Sequence, residues 1–177
     1  MDWKTKYDIA FKGLTEGLHE FNFYVDGKFF EHFDRNLVDE GKVKISAILE
    51  KRGTFMKIHL NIDGEVELVC DMCLENYMQK IKNNIEIFVK FGEKEFDEDE
   101  NIIWLLPEEH QLNLAQIIYE YTVLSIPLRH IHPKSKKGER SCKKEMIDKL
   151  KHYIHKEKDG NTFVDPRWDI LKNLNNN

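Results

Sequence analysis

The chain has 177 residues and a formal net charge of −5, with 41% hydrophobic and 33% charged residues. This composition is typical of a globular domain that buries a core without covalent staples. The sequence has no apolar run approaching the ~20 residues that cross a bilayer, and it opens without the apolar stretch of a secretory signal. Three cysteines are an odd number, which argues against a disulfide framework. We therefore expect a cytoplasmic protein with reduced thiols and no membrane partner.

The first half of the chain has the alternating apolar pattern of β-strands. Apolar residues recur with a period of two over 43–49, 56–62, 66–70 and 81–91. The Asp63-Gly64 pair between two of these runs predicts a hairpin turn, because both residues accept a positive φ. Together these patterns predict an antiparallel, partly barrel-like sheet over residues 15–92 with one buried face.

The charge and apolar patterns of the second half of the chain predict an exposed loop followed by helices. The acidic run 93–101 predicts a solvated loop, since like charges repel. "LNLAQIIYEYTVLSIP" predicts a helix that Asn113 caps and that ends before Pro127. An apolar stripe predicts that a second helix buries one face: Met146, Leu150, Tyr153 and Ile154.

A third, short helix is predicted in "VDPRWDILKNL". Asp165 can cap it, and three apolar residues would point inward: Trp168, Leu171 and Leu174. The whole chain, 1–177, is thus predicted to be a single α+β domain in which helices from the second half pack on the sheet. It divides into a β-rich part (15–92), the acidic loop (93–101) and a helical part with a basic segment (110–177).

That basic segment stands out against an acidic background. Between Arg129 and Lys158 there are eleven Lys or Arg and four acidic residues. Such a cluster can bind an acidic partner, and it can also be the solvated face of a lysine-rich helix. Charge alone leaves both interpretations open.

Cys70 and Cys73 are separated by two residues at the end of a predicted strand. A Cys-x-x-Cys in a tight connection is how zinc knuckles present half of a tetrahedral site. The third cysteine, Cys142, and either His130 or His132 could supply the remaining ligands. A redox pair normally precedes a helix, whereas a strand is predicted here. Two half-buried cysteines without a metal are the other alternative.

Motifs of known catalytic chemistry are absent from the sequence. It has no P-loop, no Gly-x-Ser-x-Gly, no His-Glu-x-x-His and no dinucleotide fingerprint. The residues alone therefore assign no catalytic chemistry, and we expect no small-molecule substrate. A metal-assisted nuclease or a thiol-based redox protein is kept as the enzymatic alternative.

Several segments resemble one family. These are "VELVCDMCLENY", "LNLAQIIYEYTVLSIPLRHIHP", a later lone cysteine and the closing "DPRWDILKNL". Together they resemble the YceD family of large ribosomal RNA subunit accumulation proteins. The early "GLTEGLHEFNFYVDGKFF" is similar to the start of members from Bacteroides-like bacteria.

The resemblance implies a candidate zinc site of Cys70, Cys73, Cys142 and His132. Many members have a second close cysteine pair in the later region, where this chain has Glu145 and Met146, so His132 is the substitute ligand.

The resemblance also implies a non-catalytic role in biogenesis of the large ribosomal subunit. The expected partner is large-subunit ribosomal RNA, its precursor or an assembly intermediate, and a basic ribosomal protein is a second partner class. The alternative is a zinc-stabilised protein–protein adaptor. Six basic residues are the predicted phosphate contacts: Lys134, Lys136, Lys137, Arg140, Lys143 and Lys144.

Overall fold

The computed structural model describes residues 2–34, 37–92, 101–134, 138 and 140–153. Strands dominate the first half, and the two longer helices follow the sheet. In chain order the elements are a 3₁₀ helix (Trp3–Tyr7), β1 (Asp8–Ile9), β2 (Gly17–Asp26), α1 (Gly27–Phe30), β3 (Gly41–Lys51), β4 (Phe55–Val69), β5 (Asn76–Phe91), β6 (Ile102–Leu105), β7 (Leu112–Asn113), α2 (Ala115–Leu124) and α3 (Lys144–Tyr153).

Within the described residues the main sheet has five strands in the order β2-β3-β4-β5-β6, and β1 pairs with β7 in a small second sheet. The predicted α+β class is confirmed, and the main sheet does not close into a barrel. Strands β2 to β5 are antiparallel to their neighbours, as predicted, whereas β6 joins β5 in parallel.

The core lies on one face of this sheet. Alternate side chains of β3, β4 and β5 are buried there because successive residues of a strand point to opposite faces. Helix α2 covers part of this face through buried Ala115 and Ile118, together with the preceding Leu114. The side-chain oxygen of Asn113 accepts a hydrogen bond from the Ala115 amide at 3.1 Å, although Leu114 occupies the N-cap position.

The predicted hairpin turn at Asp63-Gly64 is wrong, because β4 runs through both residues from Phe55 to Val69. Position 64 requires glycine because β3 lies too close for a side chain, not because the chain turns there. A Cβ at this position would lie 2.4 Å from the Lys42 carbonyl oxygen and 2.6 Å from Val43 Cα on the adjacent β3. The glycine therefore permits close approach of two strands.

Gly64→Ala is expected to lower the free energy of unfolding by about 3 kcal/mol, because the new methyl group would overlap the backbone of β3. Gly13→Ala is the matched control, since a Cβ there meets nothing within 4 Å. Urea unfolding of both variants measures the difference. Equal midpoints for the two variants would contradict the close-approach explanation.

The apolar stripe on α3 is less buried than predicted. None of its residues is fully buried, and Tyr153 is 79% exposed. Of the three stripe residues that the structure describes, Met146 alone packs against the core. The prediction of a helix was correct, but Leu150 and Tyr153 are exposed rather than packed against the core of the described residues. Ile154, the predicted third helix at 165–174 and residues 93–100 of the acidic loop lie outside the described residues.

Candidate metal centre

The cysteine pair occupies the connection between β4 and β5, as the sequence predicted. The Cys70 amide donates to the Glu75 carbonyl at 3.0 Å, and the Leu74 amide donates to the Cys70 carbonyl at 2.9 Å. Leu74 has a φ of 59°, in the left-handed region that residues with a side chain rarely adopt. These bonds close a compact knuckle in which Cys70 and Cys73 lie side by side.

A second segment is held against this knuckle by a reciprocal pair of hydrogen bonds. The Asp71 amide donates to the His130 carbonyl at 2.7 Å, and the His130 amide donates to the Asp71 carboxylate at 2.7 Å. His132 follows two residues later. Cys142 lies two residues before α3.

Four side chains converge at the knuckle: Cys70, Cys73, His132 and Cys142. Their ligand atoms all lie within 4.8 Å of one another. Cys70 Sγ is 4.0 Å from Cys142 Sγ, and His132 Nδ1 lies 3.5 Å from Cys73 Sγ and 3.6 Å from Cys142 Sγ. Tetrahedral zinc with sulfur at ~2.3 Å and nitrogen at ~2.0 Å separates its ligands by about 3.5–3.8 Å. The four residues therefore fit a zinc ion.

The surroundings of the cluster suit a structural metal. Cys70 and Cys73 are buried, and His132 and Cys142 are half-buried. The ring of Tyr77 packs against the His132 imidazole with 4.8 Å between centroids. This contact limits rotation of the imidazole.

The thiols differ in acidity. Burial raises the pKa of the Cys70 thiol, but hydrogen bonds from the backbone of Met72, His132 and Cys73 outweigh burial and set the pKa at about 6. Burial and the neighbouring sulfurs raise the pKa of Cys142 to about 11. Several donors already stabilise a negative charge at Cys70, which is the charge that a bound cation would balance.

The two candidate histidines have different positions in the structure. His132 directs its imidazole into the cluster, whereas His130 contributes its backbone to the bonds with Asp71. Sequence reasoning did not identify Asp71, because an acidic residue inside a Cys-x-x-Cys has no distinctive spacing. Its role becomes visible only when the two segments are adjacent.

Asp71→Ala is expected to weaken zinc binding about 10- to 100-fold, because the segment that carries His132 loses its charge-assisted anchor. Asp71→Asn is the matched control, since it keeps an acceptor oxygen and should lose less affinity. Competition with a chromophoric chelator measures both constants. Wild-type affinity in Asp71→Ala would show that this bond does not position the ligand.

The predicted phosphate-contact residues near the cluster differ in the contacts they make. Lys134 and Arg140 face each other in an isolated antiparallel bridge, and Arg140 contacts Met72 Sδ at 3.8 Å. Lys143 pairs with Glu75 at 3.0 Å, an exposed ion pair that raises the pKa of Lys143. Lys144 begins α3. Lys136 and Lys137 lie outside the described residues.

A groove of about 500 Å³ runs between α3 and the knuckle. Among the described residues, three cationic side chains and the carboxylate of Asp148 line it together with apolar atoms, and Cys142 forms part of its wall. Sequence reasoning did not assign Lys151, which lies on the same face of α3 as Lys144. The lining residues described by the structure are Met72, Gly138, Arg140, Cys142, Lys144, Ile147, Asp148 and Lys151. Asp148 pairs with Lys151 at 3.4 Å.

The fold and the cluster define an α+β protein with a Cys₃His candidate metal centre that joins a sheet connection to the segment before a helix. A sequence model described as large ribosomal RNA subunit accumulation protein YceD matches residues 58–175. The chain therefore belongs to the YceD family, and the matched region contains all four cluster residues.

No curated protein and no solved structure gives a significant match to the chain. Among the described residues, the helices are too short or too polar to cross a membrane.

Proposed function

We propose that this chain is a non-catalytic factor in biogenesis of the large ribosomal subunit. It binds large-subunit ribosomal RNA, its precursor or an assembly intermediate that contains this RNA. The family name links its members to accumulation of that RNA. Such a factor acts in the cytoplasm, where bacterial ribosomes are assembled.

The observation that carries the proposal is the position of the basic residues beside the cluster. Arg140, Lys144 and Lys151 line one groove, and a backbone bridge places Lys134 beside Arg140. Asp148 also lines the groove and pairs with Lys151, so Arg140 and Lys144 are the cations that carry the proposal. Cationic side chains along a groove neutralise backbone phosphates without reading base sequence. The chain as a whole is acidic, so this local excess of positive charge gives an RNA a preferred point of contact.

The cluster supports a structural role for the metal. Three thiols and one imidazole complete a tetrahedral zinc site, and a complete protein ligand set leaves no coordination position for a substrate. The bound zinc would supply a crosslink between the β4–β5 connection and the segment that carries Arg140. This arrangement favours a binding factor over a metal-assisted nuclease.

Ultraviolet crosslinking in cells, followed by sequencing of the RNA recovered with the protein, tests the proposal. We expect reads concentrated on large-subunit ribosomal RNA or its precursor. A recovered pool without enrichment over an untagged control would contradict RNA contact.

A protein adaptor is the second candidate function, and one observation favours it. Leu150 and Tyr153 are exposed on α3, and Ile147 is half-buried beside the groove. An exposed apolar helix face is a common docking surface for another protein. Capture of a ribosomal protein that persists after ribonuclease treatment would favour this function over direct RNA binding.

A further inference from the structure

Strand β2, residues Gly17–Asp26, forms one edge of the main sheet. Along all ten residues it pairs with β3. Within the described part of the chain no strand pairs with its other side. An edge strand of this length presents a row of backbone donors and acceptors that can pair with another strand.

Two of the usual protective residues of an edge, lysine and proline, are missing from the β2 sequence GLHEFNFYVD, which carries the charged residues Glu20 and Asp26 instead. Leu18 is 71% exposed and Tyr24 is 70% exposed, although both are large apolar side chains. On the opposite face, Phe21 and Phe23 are only half-buried. Such an edge is prone to association unless another strand covers it.

We propose that β2 of one chain pairs with β2 of a second copy in an antiparallel ladder centred on Phe21. Two copies related by a two-fold axis would then share a continuous ten-stranded sheet. In this register Phe21 of one copy faces Phe21 of the other. Residues the same number of positions before and after Phe21 face each other, so residue 20 faces residue 22 and residue 18 faces residue 24. Side chains that face each other lie on the same face of the joined sheet.

Charge and polarity fit this register. The exposed Leu18 of one copy meets the exposed Tyr24 of the other, and this contact occurs twice. Glu20, the strand's carboxylate within the overlap, faces Asn22 rather than another acid. On the core face, Phe21 meets its own copy and His19 meets Phe23. Within the overlap of the two strands, residues 17–25, no like charges face each other, whereas Asp26 at the end of β2 lies opposite Glu16 just outside it. The aromatic and apolar pairs are of the kind that stabilises sheets.

A pair of double variants tests both the partner and the register. Leu18→Lys with Tyr24→Lys places lysine opposite lysine at two points across the proposed interface. Leu18→Lys with Tyr24→Glu places lysine opposite glutamate at the same two points. Within one chain the two positions are about 20 Å apart along the strand, so the charges do not pair within a copy.

Sedimentation velocity over a concentration series gives the dimer dissociation constant. We expect a wild-type dimer, a constant raised at least roughly tenfold in the lysine–lysine variant, and near wild-type association in the lysine–glutamate variant. Circular dichroism establishes that both variants are folded.

Three results would overturn the proposal. A wild-type chain that stays monomeric up to several hundred micromolar would show that β2 does not pair with a second copy. The β2 edge would then be free to pair with a strand of another protein. A dimer that both variants preserve equally would place the interface elsewhere. Loss of the dimer in both variants would exclude the register centred on Phe21.

Discussion

Removal of zinc is expected to lower the thermal unfolding midpoint of the purified protein by about 10 °C. A ligand that binds only the folded state at ~1,000 times its Kd contributes about 4 kcal/mol. In a domain of this size each kcal/mol corresponds to ~2–4 °C. His132 Nδ1 lies 3.5 Å from Cys73 Sγ and 3.6 Å from Cys142 Sγ, and all four ligand atoms lie within 4.8 Å of one another, so a small contraction of the cluster would admit tetrahedral zinc. Calorimetric scans with and without a chelator, together with metal analysis, measure the effect.

The two neighbouring histidines supply a matched control for this experiment. His132→Ala removes a ligand and should lower the midpoint and abolish the response to chelator. His130→Ala keeps the backbone bonds to Asp71 and should behave as wild type. Equal midpoints for metal-free and zinc-loaded wild type would contradict a structural metal.

Reversal of two groove charges, Arg140→Glu with Lys144→Glu, is expected to weaken binding of large-subunit ribosomal RNA about 100-fold. A hydrogen bond to a charged group contributes ~1.5 kcal/mol, so the loss of two costs ~3 kcal/mol. The dependence of affinity on salt should also flatten, because each phosphate contact to single-stranded RNA contributes ~0.7 to the slope. Filter binding at several salt concentrations measures both quantities.

Lys6→Glu with Lys28→Glu is the matched control, because it makes the same change in net charge in the N-terminal part of the chain. Retained RNA affinity in this control shows that net charge alone does not explain the loss. Similar weakening in both double variants would mean that RNA binding depends on overall charge rather than on the groove. Zinc content verifies that Arg140→Glu leaves the nearby cluster intact.

Alternation of apolar residues was sufficient to predict β3, β4 and β5, because the period of a strand is imposed by its backbone. The same reasoning failed at Asp63-Gly64. A glycine that follows an aspartate is typical of a hairpin turn, and nothing local distinguishes it from a glycine that lets two strands approach closely. Only the position of β3 beside β4 decides between the two.

Part of the candidate site was also predictable. The spacing of Cys70 and Cys73 indicated half of a tetrahedral set, and Cys142 was the remaining thiol. The residues alone left His130 and His132 open, and the resemblance implied His132. The position of His132 in the cluster depends on the bonds between Asp71 and the His130 backbone, which join residues far apart in sequence. The stripe on α3 was predictable as a helix face, but periodicity does not reveal what covers it.

The cluster has a consequence for the order of events during synthesis. The segments that carry its ligands are far apart in sequence: Cys73 and His132 are 59 positions apart, and Cys70 and Cys142 are 72 positions apart. Strands β2 to β5, by contrast, pair with their sequence neighbours, and local pairings form before distant ones. On a ribosome the sheet and its cysteine knuckle can fold before Cys142 has been translated. Zinc capture by the complete ligand set would then be a late step, and a chain truncated before Cys142 would have a sheet but an incomplete metal site.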